Sequence, residues 1–183
     1  MTSVRQQNFL LRKEKILAMA ETLLLDNNQD ITLSELATEL DIAKGTIYKH
    51  FKSKNQLYLE LIILNETRLL EISQKHNNDI KTYVSEYMLY NMLNSNRTIL
   101  LHVIEERLTN NERKLKELFE KLYQIREQRI IEIKDMTSDY LKSLDSAMSI
   151  RDYLSYVWTV TYGASLLLNS THYQKSIGSR ERL

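Results

Sequence analysis

The sequence predicts an all-α protein, and three observations say so. Its 183 residues contain no proline and only three glycines, where average usage would give about 9 and about 13. Sandwiches, barrels and doubly wound α/β folds need those residues at nearly every connection, whereas long helices joined by polar loops do not. Apolar residues then recur every three or four positions along most of the chain, and no segment alternates as a strand would. An apolar share of 43% is enough for a buried core and excludes wholesale disorder. No repeat of 20–50 residues marks a solenoid.

The elements follow in order. Ile16, Ala20, Leu23 and Leu24 line a first helix from about Asn8 to Asp26, closed by the polar run Asp26 to Asp30. Thr32-Leu33-Ser34-Glu35 has the pattern of a capping box, in which hydroxyl and carboxylate each satisfy an orphan N–H. It opens a short helix over 33–40. A break at Asp41-Ile42-Ala43 precedes a second short helix, Lys44 to His50. Ser53-Lys54-Asn55-Gln56 repeats the capping pattern before a long helix bearing Leu57, Leu61 and Leu64. Later helices are expected over 80–93, 98–108, 112–144 and 150–169. Breaks are expected at Asn77-Asn78-Asp79, Asn94-Ser95-Asn96 and Thr109-Asn110-Asn111, a bend near Met136-Thr137-Ser138, and a cap at Ser149. The polar tail from His172 is expected to fray.

With no cysteine, disulfides and thiolate metal sites drop out. No apolar run approaches the ~20 residues of a membrane span, and the basic N-terminus lacks the core of a signal peptide. These features predict a soluble, cytoplasmic protein with no membrane partner. The net charge of +1 is uninformative, but its distribution is not. Lys44, Lys49, Lys52 and Lys54 fall within eleven residues that include His50 and no acid, and Arg5, Arg12, Lys13 and Lys15 are opposed by Glu14 alone. Such local basic patches mark an anion-binding edge.

Short helix, three-residue break, short helix is the outline of a helix-turn-helix, and its second helix suits the major groove of DNA. Lys44 lies at the helix start, from which side chains reach base edges. Gly45 allows close backbone approach, and Thr46 can bond a base or touch a thymine methyl. Tyr48, Lys49 and His50 offer donors for phosphate oxygens. Lys54, unfavourable against its own helix dipole, would welcome an anion there. Ile47, Phe51, Leu36 and Leu40 are core by type and spacing.

The stretch from Leu36 to Leu57, with its Lys-Gly-Thr-Ile-Tyr run, Phe51 and Ser53-Lys54, resembles the DNA-binding signature of the tetracycline-repressor (TetR) family of bacterial transcription regulators. Residues Lys15 to Leu23 and Ile31-Thr32-Leu33 match it as well, so the resemblance covers about residues 9–65. The chain departs from the pattern at Asp41, where glycine is usual, and at Ala43, where serine is usual. Asp tolerates a left-handed helix end, and loss of the serine removes an N-cap hydroxyl. The resemblance implies a DNA-binding domain over 1–58, with contacts from Thr32, Lys44, Gly45, Thr46, Tyr48, Lys49, His50 and Lys54. It also implies a helical bundle over 59–183 for ligand binding and dimerisation. The expected protein is a homodimeric repressor that binds palindromic double-stranded operator DNA, released by an unknown small-molecule effector.

Nine of the eleven tyrosines lie beyond residue 58. Tyr87, Met88, His102, Tyr123, Trp158 and Tyr162 are the candidates to line an apolar pocket with a few hydroxyls, although core packing competes for every residue at helical spacing. Gly163, Ala164 and Ser165 beside Trp158 and Tyr162 would let two helices approach closely. His102, Glu105 and Glu106 have the spacing for one face of a metal site but lack a fourth ligand. No nucleophile–base pair or phosphate loop supports catalysis, and no cofactor or metal is expected. The alternatives are the same fold governed by a protein or by DNA without a small molecule, and a metal-dependent helical-bundle enzyme.

Overall fold

The computed structural model describes residues 3–27, 30–109 and 115–176, and all regular structure among them is helical. Helix α1 (Val4–Asn27) starts four residues before the expected position. The reason is a cap at Ser3, whose Oγ accepts the Gln6 N–H at 3.3 Å. Its buried stripe begins only at Ile16 and continues through Leu17, Ala20 and Leu24.

Helix α2 (Leu33–Glu39) opens on the expected capping box: Thr32 Oγ1 accepts the Glu35 N–H at 3.1 Å, and the Glu35 carboxylate accepts the Thr32 N–H at 2.7 Å. It closes in a Schellman motif, with Ile42 N–H donating to Ala37 O at 3.0 Å and Asp41 N–H to Thr38 O at 3.1 Å. Asp41 takes φ 51° there. Helix α3 (Lys44–His50) follows, and its N-cap Ala43 provides no side-chain bond. Helix α7 (Lys116–Ser143) ends the same way as α2, with Asp145 at φ 49° and Ser146 N–H donating to Leu141 O at 3.0 Å. A glycine-poor chain thus turns off two helices with aspartate, one of the few non-glycine residues enriched in the left-handed region.

Helix α4 (Lys54–Lys75) is capped by Ser53, which accepts the Gln56 N–H at 3.1 Å. The return arm of that capping box departs from expectation: Gln56 Oε1 accepts from Lys52 N–H, one residue further back. Helix α5 (Ile80–Leu93) is capped by Asp79. Helix α6 (Ser95–Thr109) begins three residues earlier than expected, so the predicted break shrinks to Asn94 alone. There Thr98 N–H donates to Asn94 O at 3.1 Å and its hydroxyl to Asn91 O at 3.0 Å. The expected start of the next helix at Glu112 lies outside the described residues; from Lys116 α7 runs through Thr137 without a break. Helix α8 (Ile150–Asn169) carries the Ser149 cap on Asp152 N–H, 3.1 Å. The expected fraying is corrected over its first residues: Thr171–Ser176 form a short α9, tied to α8 by Gln174 Nε2 donating to Leu168 O, and the rest of that tail, 177–183, lies outside the described residues.

Two apolar clusters organise the molecule. The first gathers α1, α2, α3 and the first half of α4 with Leu101, Ile104 and Leu108 of α6 and Phe119 and Leu122 of α7. The second joins Leu69 and Ile72 of α4 to Ile80, Tyr83 and Tyr87 of α5, Ile133 of α7 and Val157 of α8. Helices α4 and α7 therefore contribute to both clusters, and the anticipated division at 58/59 falls inside α4. No described helix is long and apolar enough to cross a membrane.

Candidate nucleic-acid interface and ligand cavity

Helix α3 is fixed from beneath and free on top. Ile47 and, just past its end, Phe51 are fully buried, as are Leu36 and Ile16 against them, while Leu40 is half-buried. The opposite face presents Lys44, Gly45, Tyr48 and Lys49 exposed and Thr46 half-buried. A Cβ added at Gly45 would meet no atom within 4 Å. The glycine therefore answers no packing need within the protomer. Thr32 is exposed, with its side chain engaged in the capping box.

Two predicted phosphate ligands are held in specific contacts. His50 stacks on Phe9 of α1 with ring centroids 4.1 Å apart, and its Nδ1 is buried with no hydrogen-bond partner. Burial first, then the Arg12, Lys13 and Lys49 charges, push its pKa below the usual histidine value. Lys54 Nζ lies 2.9 Å from Asp30 Oδ2 and 5.4 Å from the Tyr58 ring centroid. Tyr58 is fully buried; its hydroxyl donates to Asp30 Oδ1 at 2.9 Å and accepts the Ile31 N–H at 3.1 Å. Arg107 of α6 completes the group, 3.5 Å from Asp30. The entry to α2 is thereby fastened to α4 and α6.

A cavity of about 450 Å³ lies between α4, α5, α6, α7 and α8, and Tyr87, His102, Trp158 and Tyr162 line it. Trp158 and Tyr162 stack at 5.4 Å, with His102 edge-on to Tyr162 at 4.9 Å. Tyr123 instead lines a second cavity, which shares Tyr87 and Trp158 with the first. Met88 lines neither; it packs against the second cluster. Burial pushes the Tyr87 hydroxyl up to about 12, with the Arg129 charge opposing it.

The expected apolar lining is only part of the wall. Glu66, 5% exposed, accepts from Arg126 Nε at 3.1 Å and Arg129 Nε at 2.8 Å, and Glu105 takes both terminal nitrogens of Arg126 at 2.6 and 2.7 Å. Sequence reasoning missed this network. Its signal was one carboxylate on the apolar stripe of α4, at the three-to-four spacing of Ile62, Glu66 and Leu69. Buried charge of that kind must be paired. Among the described residues no three His, Asp or Glu side chains converge as a metal site.

The N-terminal quarter thus has a buried-faced, cation-bearing second helix set by a Schellman turn on a first, which is the arrangement of a DNA-binding helix-turn-helix. Residues 16–61, which hold this helix-turn-helix, match the family described as bacterial regulatory proteins, tetR family. The chain is also 34% identical over 82 residues to the HTH-type transcriptional regulator QacR of Staphylococcus aureus. That stretch is 44% of this chain and 44% of QacR, so less than half of either is covered.

Proposed function

We propose that the protein is a sequence-specific DNA-binding transcription regulator, a repressor that leaves its operator when a small molecule enters the helical bundle. The observation that supports this most is the Lys44-Gly45-Thr46 edge of α3, exposed at Lys44 and Gly45 and half-buried at Thr46, above a sealed Ile47. A side-chain-free position with open space around it, between a cation and a hydroxyl, suits a helix start pressed against base edges. Lys44 and Thr46 read bases in this reading, and Thr32, Tyr48, Lys49, His50 and Lys54 hold phosphates.

The remainder of the chain is assigned to dimerisation and effector binding. Tyr156, Val160 and Leu167 are exposed along α8 at spacings of four and seven, with Gly163 between them. A second copy covering that face would set two recognition helices on a palindrome. Helix α6 supplies the route from effector to DNA. Its His102 and Glu105 line the cavity, its Leu101, Ile104 and Leu108 sit in the first cluster, and its Arg107 reaches Asp30. A ligand that binds one position of α6 better than another would bias the helix-turn-helix by that difference in affinity.

Selection of bound fragments from a random pool of duplexes by the purified protein tests the reading. Enrichment of one palindromic motif supports it, and no enrichment at any salt concentration rejects it. Effectors are then found by quenching of Trp158, the single tryptophan, in parallel with loss of operator binding.

A further inference from the structure

The first three turns of α1 have no core to rest on. No side chain from Val4 to Lys15 is buried, yet the helix is complete there. What it borders is a cleft of about 790 Å³ between α1 and α3, lined by Arg5, Arg12 and Lys15 on one side and Thr46, Lys49 and His50 on the other. No carboxylate lines it. Among the described residues Arg5, Arg12, Lys15 and Lys49 form no ion pair, whereas Lys13, which points elsewhere, is paired with Glu60 and lies over the Phe51 ring. At about 100° per residue Arg5 and Arg12 share one side of α1, and Glu14 falls opposite.

We propose that this cleft is a second DNA-contacting surface, which grips the sugar–phosphate backbone beside the groove entered by α3. It rests on the proposal that α3 reads operator DNA. Charge complementarity and continuity with α3 select this occupant: the cleft shares Thr46, Lys49 and His50 with the recognition helix, and unpaired guanidinium groups match phosphate oxygens. The twelve residues from Val4 to Lys15 extend roughly 18 Å, the rise of about five base pairs. The contact carries no sequence information. It adds affinity to every duplex alike and steepens the salt dependence.

The test compares Arg5→Gln/Arg12→Gln with wild type on a labelled 30-base-pair duplex of random sequence, across a salt series. A control removes two distant exposed charges, Lys81→Gln/Lys175→Gln. Each phosphate contact accounts for about 0.9 of the log–log slope. The cleft variant is expected to lose about 0.9 per protomer or more, and the control less than half as much. Equal slopes for wild type and cleft variant overturn the proposal, as does an equal loss in the control. If Lys44→Ala weakens operator binding while the cleft variant does not, this inference falls and the reading of α3 stands. If wild type binds no duplex even at low salt, both fall. Lys15→Gln alone, probed identically, serves should the double variant have a lower melting temperature than wild type.

Discussion

Lys54 of α4 stands 2.9 Å from the Asp30 carboxylate, so the cation proposed to hold a phosphate already has an anion. Lys54 is 30% exposed and Asp30 52%, and a pair so open to water contributes about 0.2–1 kcal/mol. A phosphate can therefore compete for this lysine at little cost.

Two variants separate the roles. Lys54→Gln should weaken operator and random duplex by the same factor and reduce the salt slope by about 0.9 per protomer. Asp30→Asn leaves the lysine uncommitted and should preserve DNA binding, while lowering the melting temperature because Tyr58 and Arg107 also rely on that carboxylate. Fluorescence anisotropy on both duplexes, with thermal melts, measures each. Lys54→Gln with an unchanged salt slope would assign the lysine to structure alone.

The space around Gly45 gives a sharper test of α3. A Cβ built at this exposed position meets nothing within 4 Å, so Gly45→Leu should melt within a few degrees of wild type while losing operator binding. Lys44→Ala should cost about 1–3 kcal/mol on operator and little on random DNA. Unchanged operator affinity in both variants would remove α3 from the groove.

Much of this was legible in the sequence, and the misses share a cause. Thr32, Ser53 and Ser149 announced their helix starts because a cap is a local hydrogen bond between near neighbours. Asp41 announced its left-handed turn for the same reason. Ser3 and Gln6 carried a comparable signal that the apolar count overlooked, since no buried residue precedes Ile16. The break before α6 looked wide because Asn94, Ser95 and Asn96 are all turn formers, yet Ser95 is buried and tertiary packing overrode the local preference. The cavity was half legible. Aromatic spacing pointed to Tyr87, His102, Trp158 and Tyr162, but nothing local links Glu66 to arginines sixty and more positions away.

His50 is predicted to make both stability and DNA binding depend on pH. Its neighbours are Phe9, Arg12 and Lys13 of α1 and Lys49 of α3, with no carboxylate among them. The native pKa lies below the ordinary 6.5, so between the two values the unfolded chain binds more protons and stability rises with pH. The contribution is present above about pH 6.5 and lost as pH falls through the native value. His50→Phe, which keeps an aromatic ring against Phe9, should flatten that part of a urea-midpoint profile from pH 5 to 7.5. Phosphate in the cleft offsets the three cations and favours the imidazolium. Wild-type DNA affinity should then rise as pH falls from 7.5 to 6 by more than that of His50→Phe. Identical profiles for the two proteins would remove the histidine from the interface.

Glu66 anchors the cavity wall. It faces both Arg126 and Arg129 at 5% exposure, and breaking a buried pair by removing one charge costs about 3–5 kcal/mol because the partner is left uncompensated. Glu66→Gln keeps an acceptor oxygen but gives up the charge. At about 2–4 °C per kcal/mol for a chain of this size, its melting temperature should fall by roughly 6–20 °C. Glu71→Gln, an exposed carboxylate on the same helix, should change stability by less than about 0.5 kcal/mol. The loss should also reach the site, since Arg126 links Glu66 to Glu105 of α6 and both line the cavity. An effector that quenches Trp158 in wild type should therefore bind Glu66→Gln more weakly when compared at temperatures where both proteins are folded. A variant as stable as wild type with the same effector affinity would show that the arginines are held by Glu105 and solvent, and that Glu66 shapes neither the fold nor the cavity.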